Sequence, residues 1–558
     1  MNASSAAPAS PCNIAASLPR LARERPDQVA MRCPGASGGY DVALTYAQLD
    51  ARSDAIAAGL AKRGIARGTR TVVMVRPTPE FFLLMFALFK AGAVPVLVDP
   101  GIDKRALRQC LDEAKPEAFI GIPLAQFARV LLRWARSARI RVTTGARAIL
   151  ADATLAEIEA AGAGAGPQLA DTQPDDVAAI LFTSGSTGVP KGVVYRHRHF
   201  VAQIEMMGAA FGIVPGGVNL PTFPPFALFD PALGTTSIIP EMDPTRPAKA
   251  NPRKLHAAIQ RFHVDQLFGS PALMRVLADH GAPLKTVKTV MSAGAPVPAD
   301  VVAKIQTLLP PDGRFWTPYG ATECLPVAII EGRELLTLRE RTEQGAGTCV
   351  GRAVPPNEVR LIRVTDEAIE RWSDDLVVKG GLVGEITVAG PSATDLYFNR
   401  DAQTRLAKIR ETTVDGGERV VHRMGDLGYF DAEGRLWFCG RKSQRVVTAS
   451  TTLCTEQVEP VFNTHRDVRR TALVGLGAFG AQRAVLCVEL RDGVPATDWP
   501  RIEDELRHLG EGFVHTAKVD AFLHHPEAFP VDIRHNAKIG REKLAAWAAR
   551  RRLAARPA

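Results

Sequence analysis

The sequence predicts an α/β protein with a large N-terminal domain of parallel-rich sheets and helices, followed by a small, mobile α+β C-terminal domain. Its 558 residues are too many for one simple hydrophobic core, so two or more domains are expected. Helical stretches alternate with short β-branched runs, which is typical of βαβ units and a largely parallel sheet. After Gly384 the pattern changes to shorter strands and turns, which indicates a different architecture near the C-terminus.

The alternation of helix and strand patterns starts at Leu44. A helical pattern covers residues 46–64, and the β-branched runs TVVMV and VPVLVD follow it. The later runs AAILFT, VDQLFGS and TVMSAG are apolar strands that end in small or hydroxyl residues. Open α/β sheets bind their ligands at the carboxyl ends of the strands. These strand ends are therefore candidate positions for a functional site.

Two further segments describe the organisation of the chain. Residues 160–176, AAGAGAGPQLADTQPDD, are rich in Gly, Ala and Pro, and this composition predicts a surface loop or linker. The stretch HRMGDLGYFDAEGRLWFCGR predicts a β-hairpin whose turn is formed by residues 431–434. Mixed helix and strand patterns follow Arg441, and they indicate a separate small C-terminal domain.

Composition and charge argue against several classes of protein. The net charge is +9, but the basic residues are dispersed among 59 acidic ones, so no nucleic-acid partner is expected. The eight cysteines form no C-x-x-C pair, which argues against a zinc site or a disulfide framework and favours thiols in a reducing cytoplasm. The N-terminal residues lack the basic head and apolar core of a secretory signal.

The richest apolar run covers residues 81–98 and is interrupted by Lys90, Gly and Pro. A membrane-spanning helix needs about 20 consecutive, predominantly apolar residues. The run therefore predicts a buried helix that leads into a buried strand, and no transmembrane segment is expected.

The stretch LFTSGSTGVPKGVVY, residues 181–195, is the most specific motif of the chain. Its small residues expose successive backbone N–H groups and hydroxyls, a surface that wraps polyphosphate oxygens, and Lys191 adds a positive charge. It differs from the Walker phosphate loop, in which the lysine directly follows a glycine. The candidate phosphate-binding residues are Thr183, Ser184, Gly185, Ser186, Thr187, Gly188 and Lys191.

TSGSTGVPKG resembles the phosphate-loop signature of the adenylate-forming superfamily, which contains acyl-CoA synthetases, luciferases and nonribosomal-peptide adenylation domains. Further motifs of that superfamily occur in its order, namely SAGAPV, YGATE, GDLG, GRKSQ and NAKIGR. The resemblance extends over nearly the whole chain. It implies ATP and Mg²⁺ as cofactors, with Glu323 as the metal ligand and Thr183, Lys191, Glu323 and Lys538 as catalytic residues.

The resemblance also implies a role for each further motif. Tyr319 would stack on adenine, Thr322 would meet the α-phosphate, and Asp426 would accept the ribose hydroxyls. Lys538 would reach the carboxylate and the α-phosphate from the C-terminal domain. The nucleotide-binding residues implied in addition to the phosphate loop are Gly294, Ala295, Pro296, Tyr319, Gly320, Thr322, Asp426 and Arg441.

The position of Arg441 in the superfamily implies the domain boundaries. The large N-terminal adenylate-forming domain, with the ATP and acyl pockets, would comprise residues 1–439. Residues 440–445 would form the hinge, and residues 446–558 would form the C-terminal lid domain. Closure of this lid would keep water away from the acyl adenylate.

Two departures from the superfamily bear on the second half of the reaction. After the hinge arginine, Ser443 and Gln444 replace the acidic residues of acyl-CoA synthetases, and residues 450–452 replace their G-Y-R turn. In the acyl-pocket motif, Ala227 stands where the superfamily usually has histidine. The neighbouring Phe226 and Phe229 are apolar enough to line a fatty-acid channel.

The altered hinge region and residues 221–252 resemble the ATP-dependent β-lactone synthetases of bacterial olefin biosynthesis. That resemblance implies activation of a long-chain 2-alkyl-3-hydroxyalkanoic acid as acyl-AMP, followed by attack of its own 3-hydroxyl to give a β-lactone. An assembly with other enzymes of the hydrocarbon pathway is a further expectation. Two alternatives remain open: a long-chain acyl-CoA or acyl-carrier ligase, and a nucleotide-binding member without catalytic activity.

Overall fold

The computed structural model describes residues 12–35, 38–98, 102–183, 190–530 and 539–554. Most of the predicted phosphate loop, residues 184–188, lies outside the described residues. The predicted catalytic Lys538 also lies outside them.

The first part of the chain alternates strands and helices as the sequence predicts. Its strands are β1 (Val29–Cys33), β2 (Val42–Thr45), β3 (Arg70–Met74), β4 (Val94–Val98), β5 (Ala118–Gly121), β6 (Ile140–Thr143), β7 (Ala153–Thr154), β8 (Val177–Thr183) and β9 (Lys191–Arg196). Its helices are α1 (Ser17–Glu24), α2 (Tyr46–Lys62), α3 (Pro79–Lys90), α4 (Lys104–Ala114), α5 (Pro123–Leu131) and α6 (Leu155–Gly162). The helix predicted over 46–64 is α2, which begins at a capping box formed by Thr45 and Gln48.

The middle of the chain contains the strands of a larger sheet. They are β10 (Val218–Pro221), β11 (Thr236–Ile238), β12 (Gln266–Gly269), β13 (Thr289–Ser292), β14 (Arg314–Ala321), β15 (Cys324–Glu331), β16 (Thr348–Ala353), β17 (Glu358–Ile362), β18 (Gly384–Ala389), β19 (Lys408–Thr412), β20 (Glu418–Phe430) and β21 (Leu436–Arg441). The helices are α7 (His197–Phe211), α8 (Pro224–Ala227), α9 (Phe229–Leu233), α10 (Pro252–Arg261), α11 (Pro271–His280), α12 (Ala299–Leu308), α13 (Gly332–Thr337), α14 (Arg339–Glu343) and α15 (Asp401–Ala407).

The C-terminal part forms its own small sheet and core. Its strands are β22 (Val446–Val447), β23 (Thr452–Leu453), β24 (Val468–Leu476), β25 (Arg483–Leu490) and β26 (Ala521–His524), and its helices are α16 (Thr455–Phe462), α17 (Trp499–Glu511) and α18 (Arg541–Ala554). Strands β24, β25 and β26 pair in that order. A contact with the larger sheet is made by Thr348, whose hydroxyl donates to Glu456 Oε2 at 2.9 Å.

Two sheets organise the rest of the chain. The first has the order β7-β6-β5-β3-β4-β8-β9, in which every pair is parallel except β8 with β9. In the larger sheet the pairs from β10 to β14 are parallel. From β14 onward neighbouring strands are antiparallel, and β20 and β21 form the predicted hairpin. The parallel character is therefore concentrated before β15.

The connector predicted over residues 160–176 begins later than expected. Helix α6 continues to Gly162, because alanine is a strong helix former and Thr154 and Glu157 form a capping box at the start of the helix. Residues 163–176 contain no helix or strand, in agreement with the remaining part of the prediction.

Helix α3 is buried on all sides, as its continuous apolar sequence predicts. Every residue from Phe81 to Lys90 is buried. The positive charge of Lys90 at the end of the helix is compensated by two carboxylates. Lys90 Nζ lies 2.6 Å from carboxylate oxygens of both Asp50 and Asp54 on α2. Three charged groups thus fix the end of a helix whose aromatic side chains also line the cavity described below.

Lys90→Ala is expected to destabilise the protein strongly, because it leaves two carboxylates without their cation in a buried position. Loss of one partner of a buried ion pair costs about 3–5 kcal/mol. Urea denaturation, followed by tryptophan fluorescence, measures the effect. Lys254→Ala is the matched control, since its pair with Glu241 is half exposed and should contribute less than about 1 kcal/mol. Equal effects of the two variants would contradict a structural role for Lys90.

Candidate active site

A cavity of about 800 Å³ lies where the two sheets meet. Residues of the first sheet, such as Val73, Leu97 and Lys191, form one wall of this cavity, and residues that follow strands of the larger sheet form another. Among the predicted site residues, those that line it are Lys191, Phe226, Phe229, Gly294, Tyr319, Gly320, Thr322, Glu323 and Arg441. The cavity has a polar end and a long apolar end.

The predicted phosphate loop connects two paired strands. Backbone pairing between β8 and β9 places Thr183 directly opposite Lys191. Lys191 is the first residue of β9 and lines the cavity, and its Nζ lies 5.0 Å from the centroid of the Tyr397 ring. The structure brings Lys191 and Glu323 to the same wall, since both contact Tyr397.

Glu323 is held in place by contacts to its side chain and to its backbone. Tyr397 Oη donates to Glu323 Oε1 at 2.7 Å, and burial together with this carboxylate raises the pKa of Tyr397. The backbone N–H and hydroxyl of Thr394 donate to the Glu323 carbonyl oxygen at 2.8 and 2.9 Å. These contacts fix the orientation of the Glu323 carboxylate at the cavity wall.

Lys408 holds Thr394 in position. Its Nζ donates to the carbonyl oxygen of Thr394 and, at 3.2 Å, to the Thr394 hydroxyl. Burial lowers the pKa of Lys408 to about 8. Sequence reasoning did not find Lys408, Thr394 or Tyr397, because each lies in a segment without a recognisable local motif and reaches Glu323 only through the tertiary fold.

Asp426 is a buried residue of β20 and lies opposite Arg441 at the end of β21. The hairpin pairs it with Arg441, whose Nη1 is 3.1 Å from Asp426 Oδ1. Tyr319 Oη donates to Asp426 Oδ2 at 2.7 Å. The carboxylate raises the pKa of the Arg441 guanidinium, and burial raises that of Tyr319. Three residues from three separate predicted motifs therefore form one hydrogen-bonded unit.

The remaining predicted nucleotide-binding residues lie partly in the wall of the cavity and partly outside it. Gly294 follows β13 and lines the cavity with a φ of +101°, a conformation that L side chains rarely adopt. Ala295 is half-buried and Pro296 is exposed beside it, and neither of them is among the residues that line the cavity. Thr322 accepts a hydrogen bond at its carbonyl oxygen from the hydroxyl of Tyr195.

The apolar end of the cavity is lined by aromatic side chains, as predicted. Phe226 stacks on Phe268 with ring centroids 4.1 Å apart and lies 5.9 Å from the Phe229 ring. Ala227, at the position where histidine was expected, is fully buried. Aromatic and aliphatic walls of this kind accommodate hydrocarbon chains.

A buried polar pair interrupts the apolar wall. Asn219 Nδ2 donates to Asp230 Oδ1 at 2.8 Å, and both residues line the cavity. Asn219 Oδ1 and Asp230 Oδ2 have no hydrogen-bond partner among the described residues. Burial raises the pKa of Asp230 to about 7. Sequence reasoning missed the pair, because a single Asp within FALFDPALG resembles a helix-start residue.

Hydrogen bonds within the segment after Arg441 hold it in a turn. The Thr448 hydroxyl accepts from the backbone N–H groups of Ser450 and Thr451 and donates to the Thr451 carbonyl oxygen. Gln444 Oε1 accepts from Arg541 Nε at 3.2 Å. Ser443 lines the cavity. The residues that replace the usual acidic pair and G-Y-R turn thus form a compact turn next to α18.

The family model for AMP-binding enzymes matches residues 18–398, which is more than half of the chain. The chain belongs to the AMP-binding enzyme family. The resemblance stated from the motifs is confirmed. The structure of this AMP-binding enzyme is similar to that of the amide bond synthetase McbA from Marinactinospora thermotolerans, with a TM-score of 0.76. The two sequences are 22% identical, and the match covers 96% of this chain and 99% of McbA. The likeness confirms the predicted fold class.

Two curated relatives are similar over almost their full lengths. The AMP-binding enzyme is 71% identical to the olefin beta-lactone synthetase of Xanthomonas campestris pv. campestris, over 97% of this chain and 98% of the relative. It is 69% identical to the olefin beta-lactone synthetase of Stenotrophomonas maltophilia, over 96% and 98%. In the part of the chain that the structure describes, no helix is long and apolar enough to cross a membrane.

Asp426→Asn is expected to raise the Michaelis constant for ATP by about tenfold or more, because each charge-assisted hydrogen bond that a carboxylate accepts is worth about 1.5–3 kcal/mol. The Michaelis constant for the acid should change much less. Both Michaelis constants are measured from initial rates of pyrophosphate release, in which the concentration of one substrate is varied at a time. Asp492→Asn, at an exposed carboxylate, is the control. An unchanged constant for ATP would show that Asp426 does not contact the nucleotide.

Proposed function

We propose that this AMP-binding enzyme is an olefin β-lactone synthetase that activates a long-chain 2-alkyl-3-hydroxyalkanoic acid with ATP. The products would be a β-lactone, AMP and pyrophosphate. The observation that carries the proposal is the near-full-length identity of 71% to a curated protein of that name. The two-ended cavity, polar where the nucleotide motifs meet and apolar beyond them, supports the same assignment.

The first step joins two anions. A carboxylate oxygen of the acid attacks the α-phosphorus of ATP, the bond to the β-phosphate oxygen breaks, and pyrophosphate leaves. Such a step needs positive charge and aligned donors around the phosphates. Lys191 at the cavity wall and the amides of residues 184–188 would supply them, Arg441 would add to them beside Asp426, and Lys538 would complete them from the lid.

A magnesium ion would fit this wall, because Mg²⁺ prefers hard oxygen ligands. Glu323 offers one carboxylate oxygen while Tyr397 holds the other at 2.7 Å. When bound, the ion would offset the phosphate charge. The residues around it would keep Glu323 oriented, since Thr394 donates to the Glu323 carbonyl oxygen and Lys408 in turn donates to Thr394.

The second step takes place within the substrate. The 3-hydroxyl oxygen attacks the acyl carbonyl carbon, the carbon–oxygen bond to AMP breaks, and the hydroxyl proton is released as the four-membered ring closes. A tethered nucleophile in a suitable orientation reaches an effective molarity on the order of 10⁵ M or more. Ring strain opposes closure, whereas the activated leaving group and a cavity that excludes water favour it.

The Asn219–Asp230 pair favours a hydroxy acid over a plain fatty acid. Asn219 Oδ1 and Asp230 Oδ2 have no hydrogen-bond partner among the described residues, and a buried polar atom without a partner costs about 1–3 kcal/mol. A hydroxyl group of the substrate could donate to either oxygen, whereas a saturated chain could not. A substrate with a polar group within its hydrocarbon part therefore fits this wall.

The compact turn after Arg441 favours an internal nucleophile over CoA. In acyl-CoA synthetases this region is remodelled when the lid rotates for thioester formation. Here the Thr448 hydroxyl already closes the turn with three hydrogen bonds. We further propose that residues 440–445 are the hinge between a domain of residues 1–439 and a lid of residues 446–558.

We also propose a cytoplasmic location. All eight cysteines are unpaired and seven of them are buried, which suits a reducing compartment. An assembly with other hydrocarbon-pathway enzymes stays a prediction.

Incubation of the purified protein with the 3-hydroxy acid, ATP and Mg²⁺ should give a β-lactone, AMP and pyrophosphate in equal amounts, because the tethered hydroxyl outcompetes any external nucleophile. Added CoA should change neither the rate nor the product. Lactone is detected by NMR, and the nucleotides by chromatography. The matched substrate without the 3-hydroxyl should yield no lactone.

Three results would contradict the proposal. Acyl-CoA that accumulates when CoA is present, without lactone in its absence, would identify a long-chain acyl-CoA ligase. Acyl transfer to a carrier protein would identify the carrier-ligase variant. Absence of pyrophosphate release with every acid would indicate a member that binds nucleotide without catalysis.

A further inference from the structure

Helix α5 presents its apolar side chains to solvent. Leu124, Phe127, Val130 and Leu131 are 66%, 57%, 50% and 67% exposed. The polar Gln126 of the same helix is fully buried, and its Nε2 donates to the Val142 carbonyl oxygen at 2.8 Å. An ordinary surface helix turns its large apolar residues to the core, whereas in this helix mainly the alanines pack against the core. Burial of its own core therefore does not account for the apolar face of α5.

The loop that follows β6 enlarges this apolar surface. Ile149 and Leu150 are 65% and 43% exposed, and the Leu150 carbonyl oxygen accepts a hydrogen bond from Arg129 of α5 at 3.1 Å. The loop therefore lies beside the helix. We refer to Leu124, Phe127, Val130, Leu131, Ile149 and Leu150 as the apolar patch. Contiguous exposed patches of this kind mark interaction sites on soluble proteins.

The segment that carries the apolar patch is basic, and the nearby Asp152 is paired with Arg141. Residues 121–150 contain six arginines and no aspartate or glutamate. Four of these arginines are exposed, namely Arg133, Arg136, Arg139 and Arg147. In the described part of the chain, none of these four lies within 4.0 Å of a carboxylate oxygen. The charge is therefore available to a partner outside the chain, and such a partner must be anionic.

The apolar patch lies beside the strand end that leads to the cavity. Ile122, immediately before α5, donates its N–H to the Met74 carbonyl oxygen at 3.0 Å. Val75 and Pro77, which follow Met74, line the cavity. A surface bound to α5 would thus lie close to the segment that borders the substrate cavity.

We propose that the apolar patch docks this protein on the surface of an anionic lipid bilayer. Large apolar side chains inserted among acyl chains, with arginines at the headgroup level, are the signature of interfacial helices. Anionic headgroups attract such basic segments within about a Debye length. A protein partner would need acidic groups arranged around one apolar face, whereas an anionic bilayer offers both features without a specific shape.

The docking surface is consistent with a water-insoluble substrate but does not depend on it. Binding to vesicles is measured without turnover, so a failure of lactone formation and a failure of docking are separate results. The residues of the patch do not line the cavity, and their substitution should leave turnover of a detergent-dispersed substrate unchanged.

The test is flotation of the full chain with vesicles of equal parts phosphatidylglycerol and phosphatidylcholine, and with vesicles of phosphatidylcholine alone. The wild type should float with the anionic vesicles only, and added salt should weaken its binding. Leu124→Ser/Phe127→Ser/Leu131→Ser should reduce binding by about tenfold or more. Val214→Ser/Val514→Ser is the matched control, because these side chains are 64% and 85% exposed elsewhere.

A second pair of variants tests the charge. Arg136→Glu/Arg139→Glu should abolish flotation, whereas Arg253→Glu/Arg405→Glu, with the same change in net charge at exposed positions, should not. The proposal is overturned if the wild type does not float with anionic vesicles, or if it floats equally with the neutral ones. It is also overturned if the serine variant floats like the wild type but loses a dimer by light scattering, which would identify the apolar patch as an interface between copies.

Discussion

The fold has to bring a carboxylate against a triphosphate without allowing water to reach the product. Like charges repel strongly in a medium of low dielectric constant, so cations and donors must be fixed before the substrates meet. The junction of the two sheets meets this constraint, since it collects Lys191, Glu323 and Arg441 from distant parts of the chain. The hydrogen bonds of Tyr319, Tyr397 and Thr394 then hold the carboxylates of Asp426 and Glu323 in place.

The polar end and the apolar end of the cavity are built by different parts of the fold. The register of the β20–β21 hairpin places Asp426 beside Arg441, the pair for which we propose a role in nucleotide binding. The aromatic wall and the Asn219–Asp230 pair within it are the features for which we propose a role in substrate selection. The fully buried helix α3 supports that wall with its aromatic side chains, and Lys90 anchors the helix through two carboxylates of α2.

Much of the fold and of the polar site could be predicted from the sequence. The strands β8 and β13 and the β20–β21 hairpin follow from local patterns, and the motif residues Lys191, Tyr319, Glu323 and Arg441 line the cavity. The predicted residues 184–188 and Lys538 lie outside the described residues. Tyr397, Thr394 and Lys408 could not be predicted, because their role arises from tertiary contacts with Glu323. The same holds for the Asn219–Asp230 pair. The exposure of the large apolar side chains of α5 also could not be predicted, because it depends on which face of the helix packs on the sheet, the face that buries Gln126.

The central claim is that AMP is transferred from ATP to the carboxylate of the acid, rather than to its 3-hydroxyl, before the ring closes. The direct test uses acid labelled with oxygen-18 in its carboxylate, with mass analysis of AMP and lactone. The account predicts one labelled oxygen in AMP and one in the lactone carbonyl, with the ring oxygen derived from the 3-hydroxyl. Unlabelled AMP together with a lactone that keeps both labelled oxygens would show activation of the hydroxyl and contradict the account.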